Sequence, residues 1–205
     1  MLQNRVDPLG QLIRTPARGA WMGNRGLLHD EHQRIVRPFK LKAWLICVLQ
    51  FKGRHRTVMT PRLYTELFFL DEATAFSAGH RPCFECRREA AQLFRACWVR
   101  GNPEYNFTPT TSIYEIDSVL HRERTGVDGA YSALIGDLPN GVFVNYSDQP
   151  HLVVDGALYP WSPFGYGEPV IPRADVGLSV ITPRSTVNAF RMGYLPQMGV
   201  SLKNE

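Results

Sequence analysis

Two cysteines separated by two residues, Cys83 and Cys86, lie in the run Ala78-Gly79-His80-Arg81-Pro82-Cys83-Phe84-Glu85-Cys86-Arg87-Arg88. A turn of this length can aim both sulfurs at one tetrahedral ion, and zinc binds thiolates at about 2.3 Å. Pro82 stiffens the approach, and Arg81, Arg87 and Arg88 favour the deprotonated sulfurs that metal binding needs. Two other readings stand beside the metal. One is a redox dithiol, which thioredoxin-type proteins place after a strand of a parallel sheet, whereas the preceding element here reads as a helix. The other is a pair of buried thiols without chemistry. Metal, with zinc as the cofactor, is the preferred reading.

Further polar groups invite chemistry. In Met22-Gly23-Asn24-Arg25-Gly26-Leu27-Leu28-His29-Asp30-Glu31-His32, glycines flank Asn24 and Arg25, a composition suited to a phosphate nest with Arg25 as clamp; a solvated turn is the alternative. Glu66 falls on an apolar extended segment, Tyr64 to Leu70, and if it faces inward it must be paired or protonated, which marks a possible acid, base or metal ligand. His29, Glu66 and His80 form the candidate catalytic set for a metal-dependent hydrolase. The aromatic run Leu158 to Gly167 suits either base stacking or packing.

Charge is segregated. The 205-residue chain carries a net +4, yet residues 1–63 hold twelve Lys and Arg against three acidic residues, a formal +9, and the remainder is −5. Such a segment suits a polyanion, because neutralised phosphates release counterions. Asn24, Arg25, Arg54, Arg56 and Arg87 are the candidate nucleic-acid contacts. Packing of the two oppositely charged parts is the alternative. The longest apolar run, Ala43 to Leu49, is far short of the roughly 18 residues of a membrane span. Residues 1–7 contain no leader-like apolar stretch, so a cytoplasmic protein without a membrane partner is expected, its four cysteines kept as thiols or ligands.

The stretch Phe68-Phe69-Leu70-Asp71-Glu72-Ala73-Thr74-Ala75-Phe76-Ser77-Ala78-Gly79-His80-Arg81-Pro82-Cys83-Phe84-Glu85-Cys86-Arg87 resembles the second half of the Ada-type zinc-binding module. That module belongs to bacterial methylphosphotriester DNA repair proteins, and similar zinc knuckles accompany some nucleases. The shared features are an aromatic pair, a short Ala-containing helix, a Gly, and Arg-Pro-Cys with a second Cys three positions on. The match is local, residues 68–87 only. It implies zinc and a nucleic-acid partner. The module's first two ligands are earlier cysteines, one of them the methyl acceptor, and His55 to Met59 stand in their place here. Substitutes are Cys47, His55, His80 and His29. Cys47 is the choice for third ligand, with a buried thiol as its alternative, and His55 follows; His80 stands where the module has an aromatic, which implies a packed ring.

These groups need elements to position them. Lys40 to Phe51 is apolar on both faces around Trp44, Ile46 and Val48 and reads as a buried strand, neighboured by Tyr64 to Leu70. Residues 1–38 have no sustained period and read as ordered loop. Helices are expected over 71–78, from near Cys86 to Gly101, and over 112–125; strands over 141–146, 151–155 and 176–181, with a hairpin at Asp155-Gly156; and a last helix capped by Thr182 with Pro183 first. The expected architecture is α+β. A small mixed sheet with helices and a zinc knuckle covers residues 1–105, and a β-rich part, 106–205, packs on it as one unit. The function expected is a zinc-binding, nucleic-acid-interacting protein (DNA or RNA) of repair or processing, with a metal-dependent hydrolase of a nucleotide or small molecule, or a zinc-stabilised adaptor, as alternatives.

Overall fold

A computed structural model describes residues 1–54, 57–126 and 131–200. The chain is α+β. Its first half begins with β1 (Arg5–Val6), β2 (Leu12–Ile13), β3 (Trp21–Asn24), β4 (Leu45–Cys47) and β5 (Leu67–Phe69), then α1 (Glu72–Ser77), β6 (Arg81–Pro82) and α2 (Arg88–Gly101). After α3 (Ile113–Arg124) come β7 (Tyr131–Ala133), β8 (Phe143–Tyr146), β9 (Gln149–Val154), β10 (Ala157–Ser162), β11 (Gly165–Tyr166), β12 (Leu178–Val180) and α4 (Arg184–Arg191).

The first sheet is mixed, in the order β2-β1-β5-β3-β4-β6, with β1 parallel to β5 and β4 parallel to β6. The amino-terminal segment is therefore not loop throughout: β1, β2 and β3 are too short to show a period yet are integral to the sheet. β3 also separates β4 from β5, which were expected to be neighbours. Gly23 makes this possible, because a Cβ there would sit 2.2 Å from the Leu45 carbonyl oxygen and 2.8 Å from the Phe69 ring. Its lack of a side chain serves close strand packing, not a phosphate nest.

The second sheet, β11-β10-β9-β8-β12-β7, is antiparallel throughout. Asp155 and Gly156 both adopt positive φ, the requirement of a tight primed turn, and join β9 to β10. The aromatic run is a second hairpin, β10–β11, whose Trp161 and Tyr166 donate to Thr74 Oγ1 (3.2 Å) and Asp71 Oδ2 (2.7 Å), so those two rings pack inward.

Capping explains two of the helix starts. Asp71 accepts from Thr74 N (2.8 Å) at α1, and Ser112 caps α3 through Tyr114 N. At α4 the expected cap is displaced: Thr182 Oγ1 instead accepts from Phe143 N (2.8 Å), Pro183 occupies the cap position, and Glu123 from α3 accepts from Ser185 N (2.9 Å) and Oγ (2.6 Å). One continuous apolar core joins both halves, with Ile46 and Phe69 from the first sheet, Val144 and Val153 from the second, and Phe76, Phe94, Trp98 and Leu120 from the helices between.

Candidate metal centre

The parallel pairing of β4 with β6 builds the centre. Its register sets Leu45 against Arg81 and Ile46 against Pro82, so the next residues, Cys47 and Cys83, emerge side by side at the same end of the sheet. Cys83 N donates to Ile46 O (3.0 Å), which locks the two chains at that point. The turn then closes with Arg87 N donating to Cys83 O (2.9 Å), which brings Cys86 back before α2 begins. The ligand atoms of Cys47, Cys83 and Cys86 all lie within 4.8 Å of one another.

That spacing fits a metal. Thiolates at tetrahedral positions around zinc are separated by about 3.8 Å, as follows from a bond of about 2.3 Å. Cys47 and Cys83 are buried (8% and 7% exposed) and Cys86 is half-buried, so the cluster is largely dry but reachable. The hydrogen bond from Cys47, helped by the N–H groups of Cys86 and Glu85 aimed at its sulfur, pulls the Cys83 thiol down to about 5 against the opposing effect of burial. Glu85 N lies 3.4 Å from that sulfur. Cys47 is pushed up, chiefly by donating to Cys83 and by burial, and Cys86 is raised by burial. The three thiols thus share charge unevenly, and a bound cation would favour the thiolate at each.

Two of the three arginines expected to favour the thiolates are engaged elsewhere. Arg81 is committed to a buried, two-pronged ion pair with Asp117 (2.7 Å at both contacts), and Arg87 to Glu72 (2.6 Å) with its guanidinium over Trp21. Backbone N–H groups supply the stabilisation instead. The ground for setting redox chemistry aside also changes, since the element directly before Cys83 is the strand β6, parallel to β4, not a helix. The third thiol, Cys47, is what now separates the cluster from a simple dithiol pair.

A groove of about 300 Å³ runs beside the sulfurs, walled by Phe51, Tyr64 and Phe68 and edged by Asn24, Arg54 and Glu66. Glu66 is buried, and its Oε2 accepts from Met59 N (2.8 Å). The other two members of the catalytic set are elsewhere. Both ring nitrogens of His29 are engaged, Nδ1 with Thr65 Oγ1 (2.6 Å) and Nε2 with Thr60 O (3.2 Å), so it holds a loop together. His80 lies fully buried before β6, packed edge-on against Phe69 and tilted against Trp44. It is a packed ring, and burial together with Arg25 and Arg124 keeps its pKa well below the ordinary histidine range.

The five candidate nucleic-acid contacts divide likewise. Asn24 and Arg54 border the groove, Arg54 exposed and paired with Glu85 (2.8 Å). Arg25 is only 2% exposed, and half-buried Arg87 is engaged by Glu72 with its side chain 9% exposed, so neither is presented to a polymer's backbone. His55, the remaining ligand candidate, and Arg56 lie outside the described residues. Sequence reasoning missed Phe51, Tyr64 and Phe68 as groove walls, because only the pairing of three distant segments brings them together. Comparison with protein-family models, with curated proteins and with solved structures gave no match, so the functional reading rests on the residues of this chain.

Proposed function

We propose that Cys47, Cys83 and Cys86 hold one zinc ion and that the protein uses the adjoining groove to bind nucleic acid, receiving a base beside the metal. The convergence of three sulfurs within 4.8 Å carries the metal assignment. Bound zinc would be held by these thiolates and would fix the turn between β6 and α2 against the end of β4. Support for the base comes from the groove's composition: aromatic walls at Phe51, Tyr64 and Phe68 offer stacking surfaces, Asn24 offers an amide, and Arg54 offers positive charge at the rim. The local resemblance of residues 68–87 to the Ada-type module agrees with both parts.

A second reading, a metal-dependent hydrolase of a nucleotide, is favoured by one observation, the buried carboxylate Glu66 on the same groove. Three protein ligands with a fourth position taken by water and a carboxylate nearby is a donor set suited to hydrolysis.

Elemental analysis of the purified protein tests the centre: about one zinc per chain is expected, lost in Cys83→Ser and in Cys47→Ser. Absence of metal, or retention by both variants, overturns it. Binding of single-stranded DNA and RNA across salt concentrations tests the groove. Arg54→Ala should flatten the salt dependence by about one unit of slope, and Phe51→Ala should weaken binding at every salt concentration. No affinity for either polymer, with hydrolysis of a nucleotide abolished by Glu66→Gln, would replace this reading with the second.

A further inference from the structure

β4 and β6 carry the thiols at one end, and at the other end they are preceded by Trp44 and His80, beside a different cavity. This cavity, about 710 Å³, lies within the size range of small-molecule sites and is bordered by Arg25, Arg124, Arg184, Glu123, Trp44 and Tyr131. Its cations are unusual in their partners. Arg25 and Arg124 each place the guanidinium over Trp44, 3.9 and 3.8 Å from the ring centroid. Arg25 Nη1 donates to Gly10 O (2.9 Å) and Nε to His80 Nε2 (3.3 Å), and buried Nη2 donates to nothing. Arg124 Nη1 donates to Gly79 O (2.7 Å), Nη2 contacts Lys42 O and His121 Nδ1, and buried Nε is likewise without a partner. Every partner is neutral.

Arg25 is buried and Arg124 half-buried, and among the described residues no carboxylate is hydrogen-bonded to either; Asp7 and Asp117 offset their charge only through space, which leaves a site that favours an anion. Burial accordingly lowers both to about 9. The third arginine, Arg184, stands over the Tyr131 ring at 4.4 Å, and the Tyr131 hydroxyl is also buried without a partner. Glu123, the one acidic residue among the described lining groups, is committed to Ser185 at the start of α4.

We propose that this cavity is a binding site for a small molecule bearing a phosphate group, held by the three arginines of its wall, Arg25, Arg124 and Arg184. Among the described lining residues three arginines stand against one glutamate, a positive excess that suits a phosphate monoester dianion better than a monocarboxylate. The aromatic walls suit an organic body on that phosphate. Arg25, too buried to meet a nucleic-acid backbone, lines the cavity from within. The site is independent of the zinc reading, since none of the three cysteines borders it.

Thermal melting and calorimetric titration with inorganic phosphate, adenosine monophosphate and acetate, each against sodium chloride at equal ionic strength, test this. Phosphate and the nucleotide should raise Tm and bind with measurable heat, and acetate should do neither. Arg25→Lys keeps the charge but loses the planar fork, and Arg184→Ala alters only an exposed residue; each should weaken nucleotide binding by about tenfold or more. If Arg25→Lys fails to fold, Arg184→Ala decides. No binding of phosphate or nucleotide at millimolar concentration, acetate binding as tightly as phosphate, or Arg184→Ala with unchanged affinity overturns the proposal.

Discussion

His80 shows how a residue type that suggests catalysis is spent on packing. Its Nε2 accepts from Arg25 Nε, which requires the neutral ring with its proton on Nδ1. Burial, with Arg25 and Arg124 beside it, opposes a second proton. The ring's folded pKa is therefore below its unfolded value near 6.5, the unfolded chain binds the proton more readily, and stability falls as pH drops below about 6.5. His121 is depressed in the same direction and adds to this loss. Melting curves of His80→Phe between pH 7.5 and about 5 should show a smaller fall in Tm than the unaltered chain. An equal fall in both would remove His80 as the group that titrates.

At the scale of elements, one buried ion pair ties β6 to α3. Arg81 and Asp117 are both buried, and their two-pronged contact anchors the strand that leads directly into Cys83. Removing one partner leaves an unpaired buried charge, so Asp117→Ala should cost about 3–5 kcal/mol in urea unfolding. The double variant Arg81→Leu with Asp117→Leu should recover part of that loss, because hydrophobic replacement of the whole pair avoids the orphaned charge. On the proposed zinc reading, metal affinity should fall in the single variant as well, since β6 sets the register between Cys83 and Cys47.

For the whole molecule, the distribution of apolar contacts predicts what metal removal does. The continuous core contains Cys97 but not Cys47, Cys83 or Cys86, so the proposed metal is expected not to be needed for folding, unlike that of a zinc finger. Treatment with a strong chelator should lower Tm by the lost binding free energy while leaving far-ultraviolet circular dichroism at 25 °C nearly unchanged. Collapse of the helical signal on chelation would show that the centre organises the core after all. The same core ties the halves together: Glu72 of α1 accepts from Tyr194 (2.8 Å) and Gln197 N (2.9 Å), which places the carboxy-terminal segment against the start of α1.

Local grammar was enough for part of this protein. The helix starts near Asp71 and Ser112, the Asp155-Gly156 turn and the α+β class are legible because each rests on patterns among neighbouring residues. The Cys83–Cys86 pair is legible for the same reason, and Cys47 follows once a third thiol is sought on the preceding strand. Tertiary structure alone decided the rest. β1 and β3 are strands because β5, far along the chain, pairs with them, β2 is added at the edge by β1, and strands of two to four residues are too short to show a period. Where charge ends up is also tertiary: within residues 1–63 Arg34 pairs with Asp30 and Arg62 with Glu31, and the net excess is reduced from outside the segment by Glu85, which pairs with Arg54. Arg25, read as a surface clamp, is folded inward onto Trp44 and His80. Side-chain type sets what chemistry a residue can do, but burial and partners set whether it does so, and both are properties of contacts made across the fold.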